Sequence, residues 1–310
     1  MVPRPAAIVC DGRGSAKLSH FGAQGAVRAF FSQLSVLEPF LAGVLDREAP
    51  AEKWTDLCRL LYRMLLQVKL DLAAERGGEE KDFDFTVAFA VAGTVSIGCF
   101  QVGDGAIVLR QDGVCRTAFE PDKGEFANQT QFLRPGGDAA GKFHSRLFPA
   151  AGNEGLAITS DGPEYLMFRQ PAMEPGPIFG QLLDDLAAGE LCEQDLRDYL
   201  TRPVWSSDPR GADDRSIAVL LPGTARHEVR TANPNTSEFH PREPSTDSTG
   251  VDENIDPRSE SNEPDDEDQN DCSPVDYRPM PVPVRRAVSP WIDAAILGTI
   301  LLVVIDEFLF

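Results

Sequence analysis

At 310 residues and 42% hydrophobic content, the chain has room for one large core or two small ones. A formal charge of −20 excludes nucleic acid as a partner, because a phosphate backbone demands patches of Lys and Arg. Six cysteines, widely separated and without a Cys-x-x-Cys pair, exclude a disulfide scaffold or a zinc knuckle and point to a reducing compartment.

The first element is an apolar run, Ile8-Val9-Cys10, that stops on Asp11-Gly12-Arg13-Gly14. A strand ending this way delivers a carboxylate to a sheet edge, and the glycines let the backbone turn. From Gly22 to about Leu45 the spacing predicts a helix with Ala26, Phe30, Leu34, Leu37 and Leu41 on one face, kinked or divided at Pro39. A second helix is predicted over 52–74, with Trp54, Leu57, Leu61, Leu65, Val68 and Leu72 on its buried stripe and Gly77-Gly78 ending it. From Asp82 the period changes to two, through Phe83, Phe85, Val87 and Phe89 and then Val95, Ile97 and Cys99. Gln111-Asp112-Gly113 joins two further short strands as a hairpin turn, so the sheet is expected to be antiparallel. Residues 119–149 are rich in Gly and Pro without periodicity and read as an irregular surface segment. A strand over 156–159 leads to Ser160-Asp161-Gly162, short helices are expected near 164–168, 178–188 and 193–200, and Asp213-Asp214 opens a last strand over 216–221. That strand is nearly all apolar, as expected of one buried on both faces.

Beyond residue 223 the composition changes. From Arg226 to Pro290 acidic residues outnumber basic ones by about two to one, and little is apolar. Such a segment cannot bury enough apolar surface to offset its ordering entropy, so 224–290 is expected to be a disordered acidic linker. The chain turns apolar again over 291–310. Its uninterrupted core, Ala294–Ile305, is short for a bilayer span, but Trp291 and Phe308–Phe310 extend it, and Arg285 and Arg286 precede it. The expectation is a folded domain over 1–223, a linker, and a C-terminal membrane anchor over 291–310. Met1–Pro5 does not begin a secretory signal, which places the domain in the cytoplasm, tethered to the inner face of the cell membrane.

Three apolar runs thus meet an Asp: Asp11, Asp161 and Asp214. Carboxylates at strand ends, beside exposed backbone carbonyls, are hard oxygen donors that suit Mg²⁺ or Mn²⁺. The four His residues, His20, His144, His227 and His240, show no triad arrangement with a nucleophile.

The ordered set of motifs resembles the metal-dependent type 2C protein phosphatases. Ile8-Val9-Cys10-Asp11-Gly12 resembles that family's Asp-Gly motif, and Val102-Gly103-Asp104-Gly105 its mid-sheet Val-Gly-Asp segment. Asn128-Gln129-Thr130-Gln131-Phe132-Leu133 is similar to an element of the bacterial branch, while Ile158-Thr159-Ser160-Asp161-Gly162 and Asp213-Asp214 are similar to the last two metal motifs. The resemblance covers about residues 6 to 222. It implies an α+β fold, a four-layer α/β/β/α sandwich of two antiparallel sheets flanked by helices, with a metal cluster in the cleft between the sheets. It also implies a serine/threonine phosphatase acting on a phosphorylated protein, in which water bridging two Mg²⁺ or Mn²⁺ ions attacks the phosphate. Carried over, Asp11 bridges the ions, the Gly12 carbonyl binds one, Asp161 and Asp214 complete the other, and Asp104 serves a third. The segment 119–149 would border the cleft.

Two departures bear on that reading. The family's strand before the Asp-Gly motif carries a phosphate-binding Arg and an acidic metal ligand, and the residues before Asp11 hold no counterpart of it. This leads to the expectation of a start lying further upstream or a weakly held second ion. The residue after Asp-Gly, often a His in eukaryotic members, is Arg13, which cannot act as a general acid at neutral pH. The alternative that the missing strand favours is a catalytically impaired type 2C-like binding or scaffold module.

Overall fold

Along β1 (Ala6–Gly12) the side chains alternate between two environments, as the period of an extended strand requires. In the computed structural model, which describes residues 4–120, 130–135, 143–170, 172–202, 214–221 and 300–305, that alternation sorts the chain into layers. Ile8 joins Phe89, Phe100, Phe30, Trp54, Leu61 and Leu65 in a core under two long helices, α1 (Ser19–Leu45) and α2 (Ala51–Arg76). Ala7 and Val9 point the other way, into a core with Ala88, Ala90, Ile107, Ile158, Ala218 and Leu220.

The first sheet pairs β1 with β2 (Phe85–Ala92), β3 (Ser96–Val102) and β6 (His144–Pro149), in that order. The second contains β4 (Ala106–Gln111), β5 (Val114–Thr117), β7 (Asn153–Thr159), β10 (Arg215–Leu220) and β11 (Ile300–Ile305), in the order β11-β10-β7-β4-β5. Every pairing is antiparallel. Val108, Ala157, Ile217 and Val219 turn outward from this sheet onto Phe179, Leu182, Leu186, Leu196 and Leu200. Those residues come from α4 (Pro177–Ala188) and α5 (Glu193–Leu200); the short α3 (Glu164–Met167) and a small ribbon of β8 (Phe168–Arg169) and β9 (Glu174–Pro175) precede them. Three apolar cores separate four layers, helix, sheet, sheet and helix, which is the expected α+β sandwich.

Much of the local reading holds. The β4–β5 hairpin turns at Asp112 and Gly113, both at positive φ, the conformation in which a two-residue turn matches the strand twist. β10 is buried along its whole length. Three expectations need correcting. Pro39 does not divide the first helix; α1 runs through it, with Leu41, Val44 and Leu45 beyond the proline still buried against the sheet. The segment 119–149 is not irregular throughout, because 144–149 form edge strand β6 on β3. An edge strand half-covered on both faces shows no apolar alternation to read.

The third correction concerns the C-terminus. Of the expected membrane anchor over 291–310, the described residues 300–305 form β11, in register from Arg215↔Ile305 to Leu220↔Ile300, rather than a helix. No described helix is long and apolar enough to cross a membrane. A six-residue run of Ile, Leu and Val suits a strand as well as a helix, and the open edge of β10 gives its backbone groups partners. The expected linker, 224–290, lies outside the described residues.

Candidate active site

The predicted carboxylates collect at one end of the sandwich. Asp11 is the penultimate residue of β1, opposite Thr86 of β2, and Gly12 pairs with Phe85. The next residue after β3, Gly103, presses on Thr86 from the other side at φ 100°; a Cβ there would fall 2.5 Å from the Thr86 methyl. Only glycine accepts both the φ and the contact. From this point the chain crosses to the second sheet within three residues, and Ala106 pairs with Thr159. The Gln101 amide donates to the carbonyls of Gly103 at 3.1 Å and Gly105 at 2.6 Å, which holds the crossing turn. Asp104 sits exposed at its tip and accepts a 2.6 Å bond from Thr130 Oγ1.

On the second sheet, Asp161 follows β7 and Asp214 precedes β10, so the two lie on adjacent strands. Ser160 ties them together: its hydroxyl donates to Asp214 O at 3.1 Å and accepts from Ser216 N at 2.9 Å. Gly162 packs so closely that a Cβ would be 2.2 Å from the Asp214 carbonyl. The two-residue period settles where side chains point. Asp11 continues the series Ala7, Val9 on β1, and Asp214 continues Leu220, Ala218, Ser216 on β10; Ala7, Val9, Ala218 and Leu220 all face the gap between the sheets. Asp11, Asp161 and Asp214 are half-buried. Burial, with the negative charge of Asp104 adding to it, pushes the Glu164 carboxyl above its usual range, against an opposing hydrogen bond from Gln170. Glu164 thus belongs to the same acidic rim, three residues after Asp161, and was not singled out from the sequence. Asn128 and Asp213 lie outside the described residues.

The Protein phosphatase 2C family profile matches residues 4–201. The chain belongs to the protein phosphatase 2C family. Among solved structures it is similar to a serine/threonine phosphatase of S. agalactiae, at 14% identity over 69% of this chain and 86% of that one, with a TM-score of 0.42. It is also similar to the serine/threonine phosphatase of Staphylococcus aureus, at 14% identity over 60% and 78% with a TM-score of 0.40. The match to a bacterial serine phosphatase variant, 14% identical with a TM-score of 0.39, spans 51% of this chain and 66% of that protein. No curated protein gives a significant match.

For this member of the family, the donor set can be tested against a metal. Carboxylate, carbonyl and hydroxyl oxygens at the rim are hard ligands of the kind Mg²⁺ and Mn²⁺ accept. Among the described residues no three His, Cys, Asp or Glu side chains, the aspartates of the rim included, group closely enough to hold a metal ion by themselves. A cation that keeps several waters and takes one or two carboxylates fits such an open rim.

Beside the rim lies a second charged cluster, invisible in the sequence. Asp84, wholly buried, is the residue before β2, and its carbonyl accepts from Arg13 N at 2.9 Å, extending the β1–β2 ladder past Gly12. Lys69, buried on α2, donates to Asp84 Oδ1 at 2.7 Å, Glu80 Oε1 at 2.5 Å and the Leu133 carbonyl at 2.8 Å. Arg134 forks onto both Asp84 oxygens, and Arg13 Nη1 reaches Oδ2 at 3.3 Å. Burial pushes the Asp84 carboxyl up, but the hydrogen bonds and charges of Arg134 and Lys69 outweigh it and hold it below the usual carboxylate range. One signal could have exposed part of this. Lys69 falls four residues after Leu65 on the buried stripe, where a lone lysine must find a carboxylate.

Proposed function

We propose that the chain is a metal-dependent phosphoprotein phosphatase that hydrolyses phosphoserine and phosphothreonine. The observation that carries this reading is the gathering of Asp11, Asp161 and Asp214 at one end of the sandwich, with Asp11 and Asp214 in line with side chains that face the gap between the sheets. In this reading Asp11, the Gly12 carbonyl, Asp161 and Asp214 hold Mg²⁺ or Mn²⁺, and Asp104, oriented by Thr130, contributes a weaker site. A bound ion of this kind lowers the pKa of a coordinated water and neutralises charge on the phosphoryl group. The protein's part is positional. Ser160 and the close Gly162–Asp214 contact hold the two second-sheet carboxylates in fixed relation, and Gln101 holds the turn that carries Asp104.

The test is Mn²⁺-dependent hydrolysis of a phosphoserine peptide by the purified full chain. Metal-stimulated turnover that Asp161→Asn removes supports the reading. A folded protein without such turnover, or turnover indifferent to Asp161→Asn, overturns it and leaves the binding module.

A further inference from the structure

Three cations converge on the Asp84 corner, Lys69, Arg134 and Arg13, against two carboxylates, Asp84 and Glu80. Lys69 is spent: its three protons go to Asp84, Glu80 and Leu133 O. Arg134 forks onto Asp84, with Nη2 at 2.6 Å from Oδ2, and also reaches Glu80 at 3.3 Å. Asp84 is therefore satisfied before Arg13 is considered. The single Arg13 contact to it, 3.3 Å, is the longest of those on Asp84, and Arg13 Nε and Nη2 donate to no described residue. Its side chain is 44% exposed, while Asp84 is 0% exposed. One positive charge is left over, and it sits on Arg13.

Position gives that surplus a meaning. Arg13 stands two residues beyond Asp11, at the next like-facing place of a ladder that its own N–H prolongs. The Arg13 and Arg134 guanidiniums both lie over the Phe132 ring, at 5.4 and 5.6 Å from its centroid, so an apolar face fixes their spacing. Arg134 is 40% exposed and is further held through Tyr62, whose hydroxyl accepts from Arg134 N at 2.9 Å. In a chain of net charge −20, a cationic surplus beside a carboxylate rim is a local choice. A planar guanidinium with free N–H groups is the side chain best matched to phosphate oxygens.

We propose that Arg13, braced by Asp84 and Phe132 and flanked by Arg134, docks the phosphate-monoester dianion of the substrate at the edge of the acidic rim. The proposal rests on the rim being the place where that phosphate reacts. Its test nonetheless reads binding and not turnover. Fluorescence anisotropy of a labelled phosphoserine peptide and of its unphosphorylated twin is measured against the full chain in EDTA, where no metal-dependent hydrolysis occurs. The wild type is expected to prefer the phosphorylated peptide. Arg13→Ala should weaken that binding about tenfold, as loss of a charge-assisted hydrogen bond does, and leave the twin unaffected. Arg13→Lys, which keeps the charge and loses the fork, should fall between the two, and thermal melting should show all three proteins folded. Equal affinity of Arg13→Ala and wild type for the phosphopeptide overturns the proposal, as does a wild type without preference. Neither result touches the hydrolysis assay, whose failure would strike the phosphatase reading instead.

Discussion

Around Asp84 the chain supplies its own countercharge, while a few residues away, at the Asp11–Asp161–Asp214 rim, it collects carboxylates. The first cluster is a closed account of donors and acceptors: Lys69 and Arg134 saturate a buried carboxylate and depress its pKa. At the edge of the second, burial and, after it, the charge of Asp104 lift the Glu164 carboxyl above its usual range. Both lie at the end of the sheets where β1 stops and the β3–β4 turn crosses over. The difference separates a device that stabilises the fold from one that, under the proposed function, takes a cation. It also predicts which substitutions should cost stability and which activity.

The largest effect is expected at Asp84. Asp84→Asn removes the charge that pairs Lys69 inside the protein, and breaking a buried pair this way costs about 3–5 kcal/mol. Urea denaturation at neutral pH measures it. Because the folded pKa of Asp84 lies below the unfolded one, the stabilisation is fully present above the unfolded value and is lost as pH falls through the folded value. The gap between wild type and variant should therefore close in acid. A gap that stays constant would mean the carboxylate's charge is not what the cluster uses.

At the rim the same kind of substitution should behave in the opposite way. Asp161→Asn is expected to leave the urea midpoint nearly unchanged and to cut Mn²⁺-stimulated turnover by about 10²–10³-fold, the usual loss when a charge-stabilising group is removed. A large stability loss instead would make Asp161 a structural residue like Asp84.

Gly162→Ala tests the join between the two second-sheet strands. Its methyl would fall 2.2 Å from the Asp214 carbonyl, so β7 and β10 must part, at about 1–3 kcal/mol. Thermal melting should register that loss, and turnover should fall with it because Asp214 is displaced.

The smallest effect is at Glu164. A carboxyl with a raised folded pKa costs stability above that value and costs nothing below the unfolded one. Glu164→Gln should stabilise the protein at pH 7 by about 0.5 kcal/mol or less, and the gain should vanish as the solution is acidified below the ordinary carboxylate range. A gain that persists in acid would remove burial and the Asp104 charge as its cause.

The two clusters were not equally legible. The rim could be read because each of its Asp residues ends or opens an apolar run, and because the strand period fixes the face it takes. Lys69, Asp84 and Arg134 offered no such pattern. They come from a helix, a turn and a loop, with Lys69 15 residues from Asp84 and Arg134 50 residues from it. Asp84 and Arg134 each look like a solvated charge, and only the place of Lys69 on the buried stripe of α2 hints at a partner. β6 and β11 stayed hidden for a related reason. The first is half-covered and carries no alternation, and the second, at 300–305, pairs with a strand that ends at 220.

By itself the sequence determined the helices α1 and α2, the alternating strands, the hairpin at Asp112-Gly113, the strand-end aspartates and the ordered motifs of the protein phosphatase 2C family. These are local properties, written in periods of two and of three to four residues and in the backbone freedom of single glycines. Only the tertiary structure decided that Asp11 on one sheet and Asp161 and Asp214 on the other share an end, that three cations meet on Asp84, and that an apolar run after the acidic stretch closes a sheet edge as a strand. Such choices depend on which distant groups bury one another. Periodicity names the face of an element that must be covered; packing chooses what covers it.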